Sequence, residues 1–254
     1  MSPSLSSPRI AIIGAGIIGL SCAWELAKRG AHVTLFDSGF YPGRGASWAA
    51  AGMLAPAYEA AAEPGANPRL FDLCLKSAGQ WTDMSGAIAA LTKRDVLHSI
   101  GPSLAVAQTA EDRIHLAGLA EALNARKIPF DVLSPGEAVQ AEPCLHAGNK
   151  GALRLPTDGQ VDNRLLVEAL IRALERQEQV AFVTGTAPLA MAQGKIVLAG
   201  FDRVIFAAGW ETASVKVGDT TLGDIAPMLR KIEPVAGHML AFNRLPDGPE
   251  MTVR

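Results

Sequence analysis

"RIAIIGAGIIGLSCAWELAKRGAHVTLFD", from Arg9 to Asp37, is the stretch that decides the fold. Its opening RIAII is a short apolar run of the kind buried on both faces in a parallel sheet. Glycines at 14, 16 and 19 follow in G-x-G-x-x-G spacing, and Ile17 to Lys28 then sets Leu20, Ala23, Leu26 and Ala27 on one helical face. Gly30 suits the helix C-cap, and HVTLFD reads as a second strand ending on Asp37. Strand, glycine turn, helix and a second strand closing on an acid eighteen residues beyond Gly19 compose the βαβ unit that binds dinucleotides. Gly14 permits the tight turn, Gly16 lets backbone approach a pyrophosphate, and Gly19 lets the helix pack on the strand. The helix N-terminus offers N–H groups and its positive dipole end to phosphates. An acid at Asp37 accepts ribose hydroxyls, which fits NAD or FAD and opposes the 2′-phosphate of NADP. A tight turn with no ligand is the bland alternative.

"GASWAAAGML", Gly45 to Leu54, follows closely and carries no charge and one hydroxyl, on Ser47. A nicotinamide enzyme ordinarily continues with further βα units and a His, Asp or Lys as proton acceptor. Here the chain offers bare backbone instead. A flavin ring lies flat against such backbone: Gly52 allows close approach, and Ser47 can donate to a pyrophosphate. A small-residue helix packed tightly on a sheet has the same composition, and the residues alone leave both readings open.

The chain has 254 residues, 49% hydrophobic and 19% charged, enough for one large or two modest domains with a sizeable core. A formal net charge of −2 and the lack of any Lys/Arg run argue against a nucleic-acid partner. Cys22, Cys74 and Cys144 lie far apart with no CxxC pair, which points to a reducing compartment without a disulfide framework. The histidines at 32, 98, 115, 146 and 238 show no metal-ligand spacing, so no metal site is expected. Arg9 and IAIIGAGIIGL resemble the charged and apolar parts of a signal peptide. The phosphate-loop spacing and the amphipathic helix that follows favour the nucleotide reading. No later apolar run approaches the ~18 residues that a membrane span needs. The expectation is a cytoplasmic chain with no membrane or nucleic-acid partner.

Farther along, residues 68–92 read as helical, with Leu70, Leu73, Cys74 and Trp81 in register. VLHSIGPSLAVA reads as two strands around a Gly-Pro turn. TAEDRIHLAGLAEALNARK is a capped helix, and SPGE at Ser134 to Glu137 opens another with a capping box and Pro at N1. Asp158 and Gly159 read as a turn, Asp162 as an N-cap before an amphipathic helix, and VAFVTG as a strand. LAMAQGKIVLA is a hairpin around Gln193-Gly194, RVIFAAG a buried strand, and KIEPVAGHMLAF strand again. These textures predict an α/β fold: a Rossmann-type nucleotide domain with an inserted antiparallel α+β substrate domain. The expected division is 1–92 and 157–226 for the nucleotide domain, 93–156 and 227–254 for the substrate domain.

The four stretches IIGAGIIGLSCAWELAKRGAHVTLFD, GASWAAAGMLAP, DGQVDNRLLVEAL and DRVIFAAGWE together resemble the D-amino-acid-oxidase superfamily of flavoproteins. Within it they are most similar to the glycine oxidases associated with the thiazole half of thiamine. The resemblance runs from Arg9 to about Phe242. It implies FAD held by Gly14, Gly16, Ile17, Ile18 and Gly19, with Asp37 on the ribose and Ser38 beside that contact. By the same resemblance Ala46 and Ser47 line the pyrophosphate, while Ala51, Gly52 and Met53 lie against the isoalloxazine. AAG at Ala207 to Gly209 is a second backbone approach, and Pro188 takes the adenine-side position. Pro188 can offer only its carbonyl there, because proline has no N–H. The family has Val at that position, and commonly Arg and Gln where this sequence has Ala236 and His238.

The resemblance also implies a reaction: oxidation of a small amino acid to its imine, with ammonia, an oxo acid such as glyoxylate, and hydrogen peroxide formed from molecular oxygen. The cofactor carries the difficult step, so no side-chain base stands out and no catalytic residue is assigned. In the family a further third of the enzyme supplies the arginines that clamp the substrate carboxylate, and the sequence ends at MTVR before reaching them. Incomplete activity is therefore expected. The rival readings are a D-amino-acid dehydrogenase or sarcosine-oxidase relative, a non-catalytic FAD-binding fragment, and last an NAD-dependent dehydrogenase. The family also suggests a homotetramer.

Overall fold

Ile10, Ala11 and Ile12 of the first strand are all buried, as a strand flanked by parallel neighbours requires. The computed structural model describes residues 7–39, 42–56, 58–59, 68–240 and 248–254. From the N-terminus the elements are β1 (Arg9–Ile13), α1 (Ile17–Lys28), β2 (His32–Asp37), α2 (Ala46–Ala49), β3 (Met53–Leu54), α3 (Pro68–Ala78) and α4 (Trp81–Thr92). Next come β4 (Ser99–Ile100), β5 (Ser103–Val106), α5 (Ala110–Ala125), β6 (Asp131–Leu133), α6 (Pro135–Ala141), β7 (Ala152–Leu155) and β8 (Gly159–Gln160). The last run is α7 (Asn163–Glu175), β9 (Val180–Thr184), β10 (Ala190–Ala192), β11 (Lys195–Val197), β12 (Arg203–Phe206), β13 (Lys216–Val217), β14 (Thr220–Thr221), α8 (Leu222–Ile225) and β15 (Thr252–Val253). Short 3-10 turns lie at Gly209–Ser214 and Pro227–Lys231. Among the described residues no helix is long and apolar enough to cross a membrane.

The chain divides into two units, residues 1–50, 88–94 and 163–239 in the first and 51–87, 95–162 and 240–254 in the second. The first holds a four-stranded sheet in the order β12-β1-β2-β9, with every neighbouring pair parallel. Helices α1 and α7 pack together, and α7 buries Leu166, Val167, Leu170 and Leu174 from its apolar stripe. A second layer of core gathers Ala11, Ile13, Phe36, Ala187, Leu189, Leu198 and Val217. The β10–β11 hairpin turns at Gln193 (φ 50°) and Gly194 (φ 72°), both left-handed as a tight two-residue hairpin demands.

The second unit contains a mixed sheet, β15-β5-β7-β6, and a small antiparallel one, β3-β8-β4. Leu116, Leu119 and Leu123 of α5 pack with Ala105, Leu153 and Leu155. The expected cap of α5 forms as a capping box, Thr109 with Asp112, and the expected capping box of α6 forms from Ser134 with Glu137.

The partition departs from the sequence boundaries mainly at 51–87, which fold with the second unit. Pairing explains this: β3 lies antiparallel to β8, and Phe71 of α3 is buried with the Arg126 guanidinium 4.9 Å from its ring centroid. Hydrophobic periodicity cannot report such contacts between distant segments. Three local expectations also change. The two strands around Gly101-Pro102 form but do not pair with each other; β4 joins β8 and β5 joins β7. Asp158 is no surface turn but a buried carboxylate, 1% exposed, accepting the Ser103 hydroxyl at 2.5 Å. The strand expected over KIEPVAGHMLAF is absent from its described part: Lys231 ends a 3-10 turn, 232–240 are exposed and irregular, and Ala241 and Phe242 lie outside the described residues. Pro234 removes a ladder donor from that stretch, and none of its described residues pairs with a strand.

Candidate functional site

The C-terminal ends of β1, β2 and β12 converge on the glycine turn. Gly14 has φ +105°, and a Cβ there would lie 2.5 Å from the Ala207 carbonyl oxygen, so the β1 exit passes tight against the β12 exit. A Cβ on Gly19 would lie 1.9 Å from the Gly14 oxygen, which makes the first turn of α1 and the glycine turn one packed unit. Gly16 is the N-cap of α1 and supplies no side-chain cap. The first helical amide, Ile17 N–H, instead donates to Ser47 Oγ at 2.8 Å. Asp37 closes the turn from the other side: Oδ2 accepts the Ala15 N–H at 2.7 Å and Oδ1 the Gly39 N–H at 2.8 Å. Each carboxylate oxygen keeps a further lone pair, which is what a ribose hydroxyl needs.

Around this turn runs a cleft of about 1040 Å³, contained within the first unit. Ligand pockets run roughly 300–1,000 Å³, so its volume suits an extended molecule such as a dinucleotide. Nine of the anticipated residues line it: Gly14, Gly16, Ile17, Ile18, Asp37, Ser38, Ala46, Ser47 and Gly209. Gly19 lies behind the wall, packed on Gly14. Pro188 does not line the cleft; Gly185, Thr186 and Ala187 do so from the same connection. The side chains of Ala187 and Leu189 enter the core, which turns the residue between them out to solvent. Ala51, Gly52 and Met53 belong to the second unit, where Gly52 has φ +76° and accepts the Val161 N–H at 2.9 Å.

Several residues here escaped the sequence reading. Asn163, at the start of α7, donates from Nδ2 to the Ser47 and Trp48 carbonyls at 2.8 and 3.0 Å, pinning α2 across a gap of more than a hundred residues. Arg164 Nε also donates to the Trp48 carbonyl, at 3.3 Å. Arg44 lines the cleft with its guanidinium 3.8 Å from the Trp48 ring centroid. Gly185, with φ +125°, directly follows β9 and donates its N–H to the Asp37 carbonyl at 2.7 Å. The Thr-Gly at the end of VAFVTG was a usable signal for Gly185, whereas nothing in the sequence marked Asn163.

These residues fit FAD. A turn that leaves Gly16 without a side chain, a helix start capped only through Ser47, and an acid at the end of β2 together suit a pyrophosphate and a ribose. Residues 9–253 match the family model described as FAD dependent oxidoreductase (DAO). The chain is 34% identical to the glycine oxidase of Geobacillus kaustophilus across 65% of this chain and 42% of that protein. It is 25% identical to the D-amino acid dehydrogenase of Xanthobacter autotrophicus, across 92% of this chain and 66% of that one. The crystal structure of glycine oxidase from Geobacillus kaustophilus superposes with a TM-score of 0.72 at 28% identity, covering 82% of this chain and 58% of that one. The chain thus spans less than two thirds of the length of these relatives. With the family model covering nearly every residue and a parallel-sheet cleft built for a dinucleotide beneath it, the chain belongs to the DAO family of FAD-dependent oxidoreductases.

Proposed function

We propose that this chain carries the FAD-binding half of a glycine-oxidase-like enzyme that oxidises a small amino acid or amine. The observation that carries the reading is the glycine turn itself, held shut by Asp37 and facing a cleft that Gly14, Gly16, Gly45, Ala46, Ser47, Ala208 and Gly209 help to line. In this reading Gly14, Gly16, Ile17 and Ile18 present the turn and the start of α1 to the pyrophosphate, and Ser47 donates its hydroxyl to the same group. Asp37 and Ser38 face the ribose, Ala46 and Gly209 leave room along the walls, and Gly19 holds the turn in shape. Gly185 to Ala187 take the adenine-side place that the resemblance gave to Pro188. Ala51, Gly52 and Met53 form the bed of the flavin ring.

Bound FAD supplies the two-electron oxidation; the protein orients and shields. What the described residues do is hold the cofactor, since the cleft's walls supply backbone N–H groups and small side chains. Glycine oxidase activity, with peroxide as co-product and a cytoplasmic, tetrameric enzyme linked to thiazole synthesis, extends this reading by family likeness. A D-amino-acid dehydrogenase is the second reading, raised by a match over 92% of the chain, a span that a glycine oxidase of Pseudomonas putida equals at 93%. The test is the visible spectrum of the purified chain, with identification of any nucleotide released on denaturation, followed by assay with glycine and with D-alanine. A flavin spectrum and glycine-dependent peroxide support the oxidase. Turnover of D-alanine with an artificial acceptor but without peroxide supports the dehydrogenase. A colourless protein that also refuses added FAD sinks both.

A further inference from the structure

Among the described residues the cleft is lined by four charged side chains, Asp37, Arg44, Glu211 and Lys216, whose formal charges sum to zero. A dinucleotide pyrophosphate brings two negative charges into this neutral setting. The N-terminus of α1 supplies partial charge and N–H groups, so the question is which cation answers the rest. Asp37 and Glu211 have the wrong sign, leaving Arg44 and Lys216.

Arg44 is placed for it. It stands three residues before Ser47, and Ser47 Oγ is bonded to the first N–H of α1, the point where a phosphate meets the helix. Arg44 directly precedes Gly45, the N-cap of α2, and Ser47 is the second residue of that helix, so the bonded hydroxyl also holds the arginine backbone near the start of α1. The guanidinium lies 3.8 Å from the Trp48 ring centroid. A guanidinium resting on an indole keeps its N–H groups directed outward in its own plane, the arrangement that grips a phosphate with two parallel bonds. The platform beneath is rigid because Asn163 and Arg164 both donate to the Trp48 carbonyl. Arg164 also brings its own guanidinium to 5.6 Å from the same ring.

We propose that Arg44, held on Trp48, is the side-chain counter-ion of the cofactor's pyrophosphate. The inference rests on the FAD reading and adds to it a residue whose charge, rather than its smallness, selects a diphosphate ligand. It predicts that the chain distinguishes ligands by pyrophosphate as well as by ring. Riboflavin and adenosine gain nothing from Arg44, whereas ADP and FAD both do.

The experiment compares the 254-residue chain with its Arg44→Gln and Arg44→Lys variants, using ADP, adenosine and FAD as probes. Binding is read from Trp fluorescence and flavin quenching at low and at high salt. Arg44 is exposed, so both variants are expected to melt with the parent. The expected result is about a tenfold loss of ADP and FAD affinity in Arg44→Gln, with adenosine changed less than twofold. Arg44→Lys recovers part of the loss, and salt narrows the gap between parent and variant. ADP and FAD affinities within twofold of the parent overturn the proposal. So does an equal loss for adenosine, which marks a structural role through Trp48. A parent chain that binds neither FAD nor ADP overturns the FAD reading itself, an outcome distinct from unchanged binding in the variants.

Discussion

Ser47 Oγ accepts the amide hydrogen of Ile17 at 2.8 Å, joining two residues thirty positions apart. The bond uses a lone pair and leaves the hydroxyl hydrogen to donate into the cleft. One side chain therefore caps α1 and keeps a donor for whatever anion sits there. Ser47→Ala removes both functions. The expected outcome is roughly a tenfold rise in the Kd for FAD, about 1.4 kcal/mol, beside a loss of about 0.5–2 kcal/mol in the stability of the ligand-free chain from the deleted cap. A flavin-fluorescence titration decides it, and an unchanged Kd would remove Ser47 from the site.

The glycines of the turn separate into two kinds. At Gly19 an added Cβ meets backbone at 1.9 Å, and backbone cannot swing aside. Gly19→Ala should therefore destabilise the ligand-free chain by about 1–3 kcal/mol or more. At Gly16 the same Cβ lies 3.3 Å from Ser47 Oγ, a side-chain atom with some room to yield. Gly16→Ala should leave the fold close to the parent and cost cofactor affinity instead. Thermal melting without ligand, paired with FAD titration, distinguishes the two. Equal destabilisation by both substitutions would deny that Gly16 is kept bare for a ligand.

The contrast shows what was legible in the sequence. Strand, turn and helix around Gly14 to Gly19 could be read because local spacing dictates them, and α1 spans Ile17–Lys28 as the apolar face indicated. The cap of α5 and the capping box at Ser134 were readable for the same reason, since each is settled within four residues. Asn163 was not readable, because its role is to donate to carbonyls more than a hundred residues earlier. Residues 51–87 were misplaced on similar grounds: β3 is two residues long and is defined only by its partner β8. Pro188 faces solvent rather than the cleft because Ala187 and Leu189 turn their side chains into the core on either side of it, an alternation that depends on contacts the local sequence does not record.

Asn163 offers a direct test of the pinning of α2. Its amide donates to two carbonyl oxygens, so Asn163→Asp turns two attractions into repulsions, while Asn163→Ala merely deletes them. Urea unfolding should show the aspartate variant losing about 2–3 kcal/mol and the alanine variant less. The order matters more than the size. Alanine and aspartate variants of equal stability would mean that these bonds contribute little.

Glu142 does comparable work in the second unit. It is 1% exposed, and its Oε2 accepts the Glu250 and Met251 amide hydrogens at 2.8 and 2.9 Å, just before β15 joins β5. Burial pushes its carboxyl up, but the bonds from Met251, Cys144 and Glu250 outweigh burial and hold it below the ordinary glutamate range. A carboxyl depressed in the folded state stabilises fully above its unfolded value, and the contribution fades as pH falls through the folded one. Glutamine keeps the shape but loses the charge and turns part of its amide toward two donors. Glu142→Gln should therefore cost about 1–3 kcal/mol at pH 7. The deficit should shrink in acid, as pH falls through the depressed folded value and the parent carboxyl also takes up a proton. Urea unfolding of parent and variant at pH 7, 5 and 3 measures the gap at each point. A deficit constant across that range would assign the effect to shape rather than charge, and the tether of the 248–254 segment would then rest on packing around Met251.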